Sequence, residues 1–287
     1  MTIPICLVTG FLGTGKTTFL RNILARNGDR KIVYLVNEFS AHDVDGASIS
    51  SENSFVVSIP GGSIFCKCLV TEFIGQLKKI AKRWPDAQGM VIEASGMANP
   101  GVMEQMLTET ALDRLYRLAT VISVIDPDSF LKLHKTLPNI IAQIEAADVV
   151  LINKTDCNGP EKIEKTDALV REINPGAKRM KTVRCEAAID LFAEHTPRGL
   201  QGEYARCSDP NYAVFVTEQP FKGDALEEFI LQHAEDIYRI KGTLKDEFFD
   251  YSTAGIIRTP GAGETSKLAW IVKGGAKGEI TAGLTML

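Results

Sequence analysis

The run Gly10-Phe11-Leu12-Gly13-Thr14-Gly15-Lys16-Thr17 fits the pattern G-x-x-x-x-G-K-[ST] and begins where an apolar strand, Ile5 to Val8, should end. Such a loop turns its backbone N–H groups inward onto phosphate oxygens, and glycines allow the close approach that side chains would block. Gly10, Gly13 and Gly15 frame the loop. Lys16 is placed to reach the β- and γ-phosphates, Thr17 to offer its hydroxyl to Mg²⁺, and the following helix to present its positive N-terminus to the anion. Thr14 and Thr18 are expected to add N–H or hydroxyl contacts. Phe19, Leu20, Ile23 and Leu24 recur at helical spacing after the loop, and the near-continuous apolar run before it reads as a parallel strand buried on both faces. These surroundings favour a phosphate-binding loop over a glycine-rich turn that merely precedes a helix.

Further strand-like runs follow at Ile32 to Val36, Phe55 to Ile59, Met90 to Ile92, Thr120 to Ile125 and Val149 to Ile152. Amphipathic helices are expected over Phe73 to Ala81, Gly101 to Leu107, Phe130 to Leu137 and Ile163 to Ile173. The alternation predicts an α/β fold, a doubly wound and mainly parallel sheet of the P-loop NTPase kind, with ligands beyond the carboxyl ends of the strands. Residues 1–182 are read as this domain. From Val183 to Asn211 the periodicity weakens, and Pro197, Gly199, Gly202 and Pro210 punctuate a polar stretch that reads as a linker. Residues 212–287 then read as a smaller α+β domain. Its expected strands are Tyr212 to Thr217, Glu247 to Tyr251 and Leu268 to Val272, its helix Ala225 to Ile237, and Gly274 to Leu287 an edge or loose tail.

Asn153-Lys154-Thr155-Asp156 stands after the strand Val149 to Ile152 and fits N-K-x-D. A carboxylate at Asp156 can accept both N1–H and the exocyclic N2–H of guanine, whereas adenine offers no such pair and would leave it unpaired. Sites of this type discriminate by up to ~10⁴-fold. The aliphatic stem of Lys154 can lie over the base. The competing reading is a polar, helix-capping cluster at a strand end. Two other strand ends carry acids, Asn37-Glu38-Phe39 and Glu93-Ala94-Ser95-Gly96. Glu38 and Glu93 are candidates, with Thr17, for holding Mg²⁺ directly or through water, and Gly96 for meeting the γ-phosphate with its N–H.

The chain has 287 residues, enough for one large or two medium domains. Its 32 basic and 36 acidic residues give a net charge of −4, which supplies no electrostatic footprint for nucleic acid or an anionic membrane. No apolar run is long enough to span a bilayer, and the N-terminus lacks a basic region before its apolar residues. A cytoplasmic location is expected, with the six cysteines reduced.

Gly10 to Thr18, Asn37 to Phe39, Ile92-Glu93-Ala94-Ser95-Gly96-Met97-Ala98-Asn99-Pro100 and Asn153 to Asp156 together resemble the CobW-like GTPases, relatives of the UreG and HypB metallocentre-assembly proteins. Tyr238-Arg239-Ile240-Lys241-Gly242 resembles the R-x-K-G signature of the CobW C-terminal domain, although Arg239 and Lys241 can equally be solvated surface residues. The resemblance implies GTP hydrolysis and an accessory role in which nucleotide-driven switching helps deliver or reactivate a metal or corrinoid cofactor in a client enzyme. It also implies a client metalloenzyme or corrinoid protein as partner. A homodimer fits the same reading: no glutamine follows Gly96 to orient water, so slow turnover would await a group from a dimer mate or the client.

The chain departs from that family at its metal motif. Where the family has C-x-C-C after a glycine, this chain has Gly62-Ser63-Ile64-Phe65-Cys66, and Ala41 stands where the family has glutamate. Cys66 and Cys68 on an extended segment would project from one face about 6.5 Å apart. Lys67 would favour thiolates, and His42 would be a third ligand for Zn²⁺ or Co²⁺. The other reading makes both cysteines small packing residues. A P-loop kinase or ligase acting on a small molecule is the alternative to the GTPase reading, as is, more remotely, a scaffold with a vestigial site.

Overall fold

A computed structural model describes residues 2–38, 55–60, 70–193, 212–252, 255–261 and 266–287. The chain divides into two compact units, Met1–Cys207 and Ser208–Leu287.

The first unit is an α/β layer structure. Its elements are β1 (Ile3–Thr9), α1 (Lys16–Arg26), β2 (Ile32–Glu38), β3 (Val56–Pro60), α2 (Val70–Arg83), β4 (Gly89–Glu93), α3 (Val102–Glu109), β5 (Tyr116–Ile125), α4 (Pro127–Leu133), α5 (Pro138–Glu145), β6 (Val149–Ile152), α6 (Pro160–Ile173) and β7 (Lys178–Lys181). The seven strands run parallel in the order β3-β2-β4-β1-β5-β6-β7. β1 is central, and its apolar residues serve two cores because successive side chains alternate faces. Ile5 and Leu7 join Phe73, Leu77 and Ile80 of α2 and Met103 and Met106 of α3. Cys6 and Val8 join Phe19, Leu20 and Ile23 of α1 on the other face. Each of the buried Val, Leu, Ile, Phe and Met side chains among these contributes about 1.5–3 kcal/mol. The continuous apolar run that predicted β1 is therefore the signature of a strand covered on both sides.

Three features of this unit were not anticipated. Helix α4 ends at Leu133, and a separate helix, α5, starts at Pro138, where proline's fixed φ suits a first helical position. Edge strand β7, Lys-Arg-Met-Lys, is hidden by its charges, which are what an edge tolerates. Finally, within the stretch expected to be a linker, Cys185 and Leu191 are buried in the α1-side core.

The second unit holds an antiparallel sheet, β11-β10-β9-β12-β8, formed by β8 (Tyr212–Thr217), β9 (Ile237–Leu244), β10 (Glu247–Ser252), β11 (Gly255–Pro260) and β12 (Lys267–Lys273). Helices α7 (Gly223–Gln232) and α8 (Lys277–Leu284) accompany it. The expected helix over Ala225 to Ile237 stops at Gln232, and Ile237 instead opens β9. The expected loose tail carries α8, whose Ile280 and Leu284 are buried with Trp270, Phe229 and Leu226. The R-x-K-G residues lie on β9. Arg239 is paired with Asp250 of β10 at 2.6 Å, with its side chain 11% exposed. Gly242 is required by packing: a Cβ there would sit 2.0 Å from the Lys267 carbonyl oxygen on β12.

Candidate nucleotide site

The loop between β1 and α1 occupies the carboxyl edge of the sheet. Gly10, Gly13 and Gly15 all have positive φ, at 138°, 77° and 115°. A Cβ on Gly10 would lie 2.2 Å from the Val124 carbonyl oxygen of β5, and one on Gly15 would lie 2.5 Å from Asn153 Nδ2. Only glycine satisfies both the backbone angle and the space at these two positions. Gly10→Ala is therefore expected to destabilise the fold by about 3 kcal/mol or more, combining left-handed strain with a backbone clash. Chemical denaturation of the variant against the parent checks this.

Gly15 caps α1 without any side-chain hydrogen bond, and the helix N-terminus it leaves carries the N–H groups of Lys16, Thr17 and Thr18. Lys16 is only 7% exposed, and its Nζ donates to the carbonyl oxygens of Gly10 (2.8 Å) and Phe11 (3.2 Å). Its charge is thereby held inside the loop. Of the N–H or hydroxyl contacts expected of Thr14, the hydroxyl is used within the loop: it donates to Phe11 O at 2.8 Å and the side chain is buried, so it braces the turn.

The Asn153 to Asp156 segment meets this loop directly. Asn153 Nδ2 donates to Thr14 O at 2.8 Å, while its Oδ1 accepts from Cys185 N at 2.8 Å and Thr182 Oγ1 at 3.2 Å. Lys154 adopts a left-handed φ of 57°, and Asp156 is exposed.

Glu93 closes β4 in register with Val8 of β1 and Val36 of β2, and is 8% exposed. Gly96 follows in a loop pressed between two elements. On one side a Cβ at Gly96 would lie 2.8 Å from the backbone nitrogen of Leu12 in the phosphate loop. On the other side Gln143 of α5 donates to both Gly96 O and Ala98 O at 3.1 Å, and Asn139 donates to Met97 O at 2.9 Å. A glutamine does stand beside Gly96 in space, although none follows it in sequence. Its amide nitrogen is committed to the loop carbonyls.

Glu38 is the last residue of β2, opposite Pro60. Its side chain, together with Phe39, Ala41, His42, Cys66, Lys67 and Cys68, lies outside the described residues. Among the described residues there is no group of three or more His, Cys, Asp or Glu side chains placed to hold a metal ion. None of the described helices is long and apolar enough to cross a membrane.

Cys185 carried no motif in the sequence, yet it lies against the phosphate loop. Its Sγ donates to Gly15 O at 3.3 Å. Burial pushes the thiol up to about 12, against the opposing pull of Lys154 and Lys16, so it is a neutral donor at physiological pH. Arg184 and Cys185 are both left-handed, at φ 51° and 57°, and Asn22 of α1 fixes the turn by donating to Arg184 O at 2.9 Å. No signal in the residue types foretold this, because the groups engaged are mostly backbone.

A glycine-cradled helix N-terminus with a buried lysine, tied through Asn153 to a second loop at the same sheet edge, defines a P-loop nucleotide-binding protein. The family comparison agrees: the CobW/HypB/UreG nucleotide-binding domain matches residues 4–181. The chain belongs to this family, among the CobW-like P-loop GTPases. It is 31% identical over 262 residues to the zinc chaperone YjiA of Escherichia coli, covering 84% of this chain and 81% of that protein. It is 28% identical over 229 residues to zinc-regulated GTPase metalloprotein activator 1 of Schizosaccharomyces pombe, covering 73% of this chain and 54% of that protein. The chain thus spans about half the length of the latter relative. In fold it is similar to the crystal structure of Zn(II)-bound YjiA GTPase from E. coli, with a TM-score of 0.50 and 23% identity over 100% of this chain and 99% of that one.

Proposed function

We infer that this chain binds and hydrolyses GTP and acts as an accessory protein that delivers a metal ion to a client metalloprotein. The observation that carries the first half is the Asn153–Thr14 hydrogen bond, which fixes a guanine-type loop and a phosphate loop to one another at one sheet edge. The α1 first turn and Lys16 receive the phosphates, Lys154 and Asp156 the base, and Gly96 N–H the γ-phosphate. Thr17, Glu93 and Glu38 would hold Mg²⁺, which supplies charge neutralisation of the β- and γ-phosphate oxygens when bound. The near-burial of Glu93 beside the loop suits a carboxylate that addresses a cation. Because Gly96 abuts Leu12, a γ-phosphate that draws on either loop shifts the other, and hydrolysis releases both.

The second half is supported by the relatives described above, which are a zinc chaperone and a zinc-regulated activator. Zinc is accordingly the favoured cargo, with Cys66 and Cys68 the thiols to test; Co²⁺ or a corrinoid client is the finer variant. The deciding experiment titrates metal-free protein with Zn²⁺ and Co²⁺ in the presence of Mg²⁺ and GTP, with the Cys66→Ser/Cys68→Ser variant alongside. The expected result is slow hydrolysis of GTP in preference to ATP, and zinc binding that changes its rate. Binding lost in the double variant assigns the cargo to those thiols, whereas hydrolysis insensitive to any metal would overturn the delivery role.

A further inference from the structure

We propose that Asp126 is the positioning residue of the base-binding loop, holding Lys154 and the turn that follows it in place for the nucleotide. The inference rests on the reading of Asn153 to Asp156 as the base-binding segment. Asp126 directly follows β5, is 5% exposed, and divides its carboxylate between two tasks. Oδ1 accepts from Asp128 N at 3.2 Å, capping α4, and from Asn158 Nδ2 at 3.3 Å. Oδ2 faces Lys154 Nζ at 3.3 Å. The Asn158 amide also donates to Lys154 O at 2.9 Å, and Cys157 N donates to the same oxygen at 3.1 Å.

One nearly buried carboxylate therefore grips the turn at both ends, through the tip of Lys154 and through Asn158. Between these points the chain runs through a left-handed Lys154, a conformation that persists only where neighbours enforce it. The consequence for ligand binding is specific. A lysine with a free ammonium samples many rotamers, and ordering it on nucleotide arrival would cost affinity. With its tip pinned by Asp126, Lys154 offers its methylene stem as a preset apolar strip, and the turn presents Asp156 outward. Stem stacking does not distinguish phosphate number, so Asp126 should act equally on GDP and GTP.

The test is a double-mutant cycle on the full chain, read by displacement of a fluorescent GDP. Asp126→Asn keeps a good helix cap and removes the charge. It is expected to weaken GDP and GTP alike by about tenfold, leaving turnover at saturating GTP unchanged. In a Lys154→Met background the same substitution should cost less than about twofold. An equal loss in both backgrounds would assign Asp126 to capping alone and overturn the proposal, as would no loss in the parent. ADP competition in the same assay separates the two failures. If ADP binds as tightly as GDP, the base reading falls and this inference with it; if guanine preference holds while the cycle is additive, only the role of Asp126 falls. Should Asp126→Asn not fold, Asn158→Ala loosens the same turn without touching the cap, and equal weakening of GDP and GTP is expected from it. No weakening would overturn the proposal.

Discussion

Lys16→Ala is expected to lower kcat/KM for GTP by at least about 10³-fold. The side chain is almost fully enclosed, and its ammonium is aimed into the loop by the carbonyls of Gly10 and Phe11. A cation held in that low-dielectric hollow interacts with transferring phosphate oxygens far more strongly than one in water, and needs no reorganisation when charge moves. Lys16→Arg should fail nearly as badly, because a planar fork does not fit where a point charge is wrapped by two carbonyls. Stability should fall by only about 1 kcal/mol, the net worth of the lost hydrogen bonds, so thermal unfolding separates a chemical defect from a folding one. Activity of Lys16→Ala within tenfold of the parent would show that phosphate is handled elsewhere.

Asp156→Asn should reverse the base preference. The carboxylate is exposed at the sheet edge, and no group among the described residues engages it, so it is free to accept the two N–H donors of guanine. An amide can accept from only one of them and brings an N–H against the exocyclic amine. Preference for GTP should therefore fall by about 10³-fold. Xanthine carries a carbonyl at that position, and the new N–H can donate to it. Kinetics with GTP and XTP in parallel are expected to cross between parent and variant. An unchanged preference for GTP would mean that the base is read by a group other than Asp156.

The parts legible in sequence were those in which a side-chain pattern and a structural requirement coincide. β1 from Ile5 to Val8 and β6 are buried on both faces, so these residues had to be apolar, and the glycines of the phosphate loop are demanded by Val124 O and Asn153. What escaped notice works by other means. β7 is an edge whose pairing is carried by backbone alone, and β9 mixes Arg239 and Lys241 with Ile237 and Ile240 because its two faces meet different surroundings. At the site, Gln143, Asn139 and Cys185 act on backbone carbonyls, and Asp126 on the side chains of Lys154 and Asn158, across long sequence separations. Amides, an acid and a thiol in such positions have no fixed spacing to a motif, and only coordinates bring them to it.

The carboxamide of Asn153 has a consequence beyond holding loops together. By gripping Thr14 O with one end and Cys185 N and Thr182 Oγ1 with the other, it makes the separation between the phosphate end and the base end a built dimension of the protein. With phosphate and base bound as proposed, a site of that kind would work as a caliper. It rewards ligands whose sugar spans the gap at the correct length and twist, and guanine or polyphosphate alone closes only one jaw.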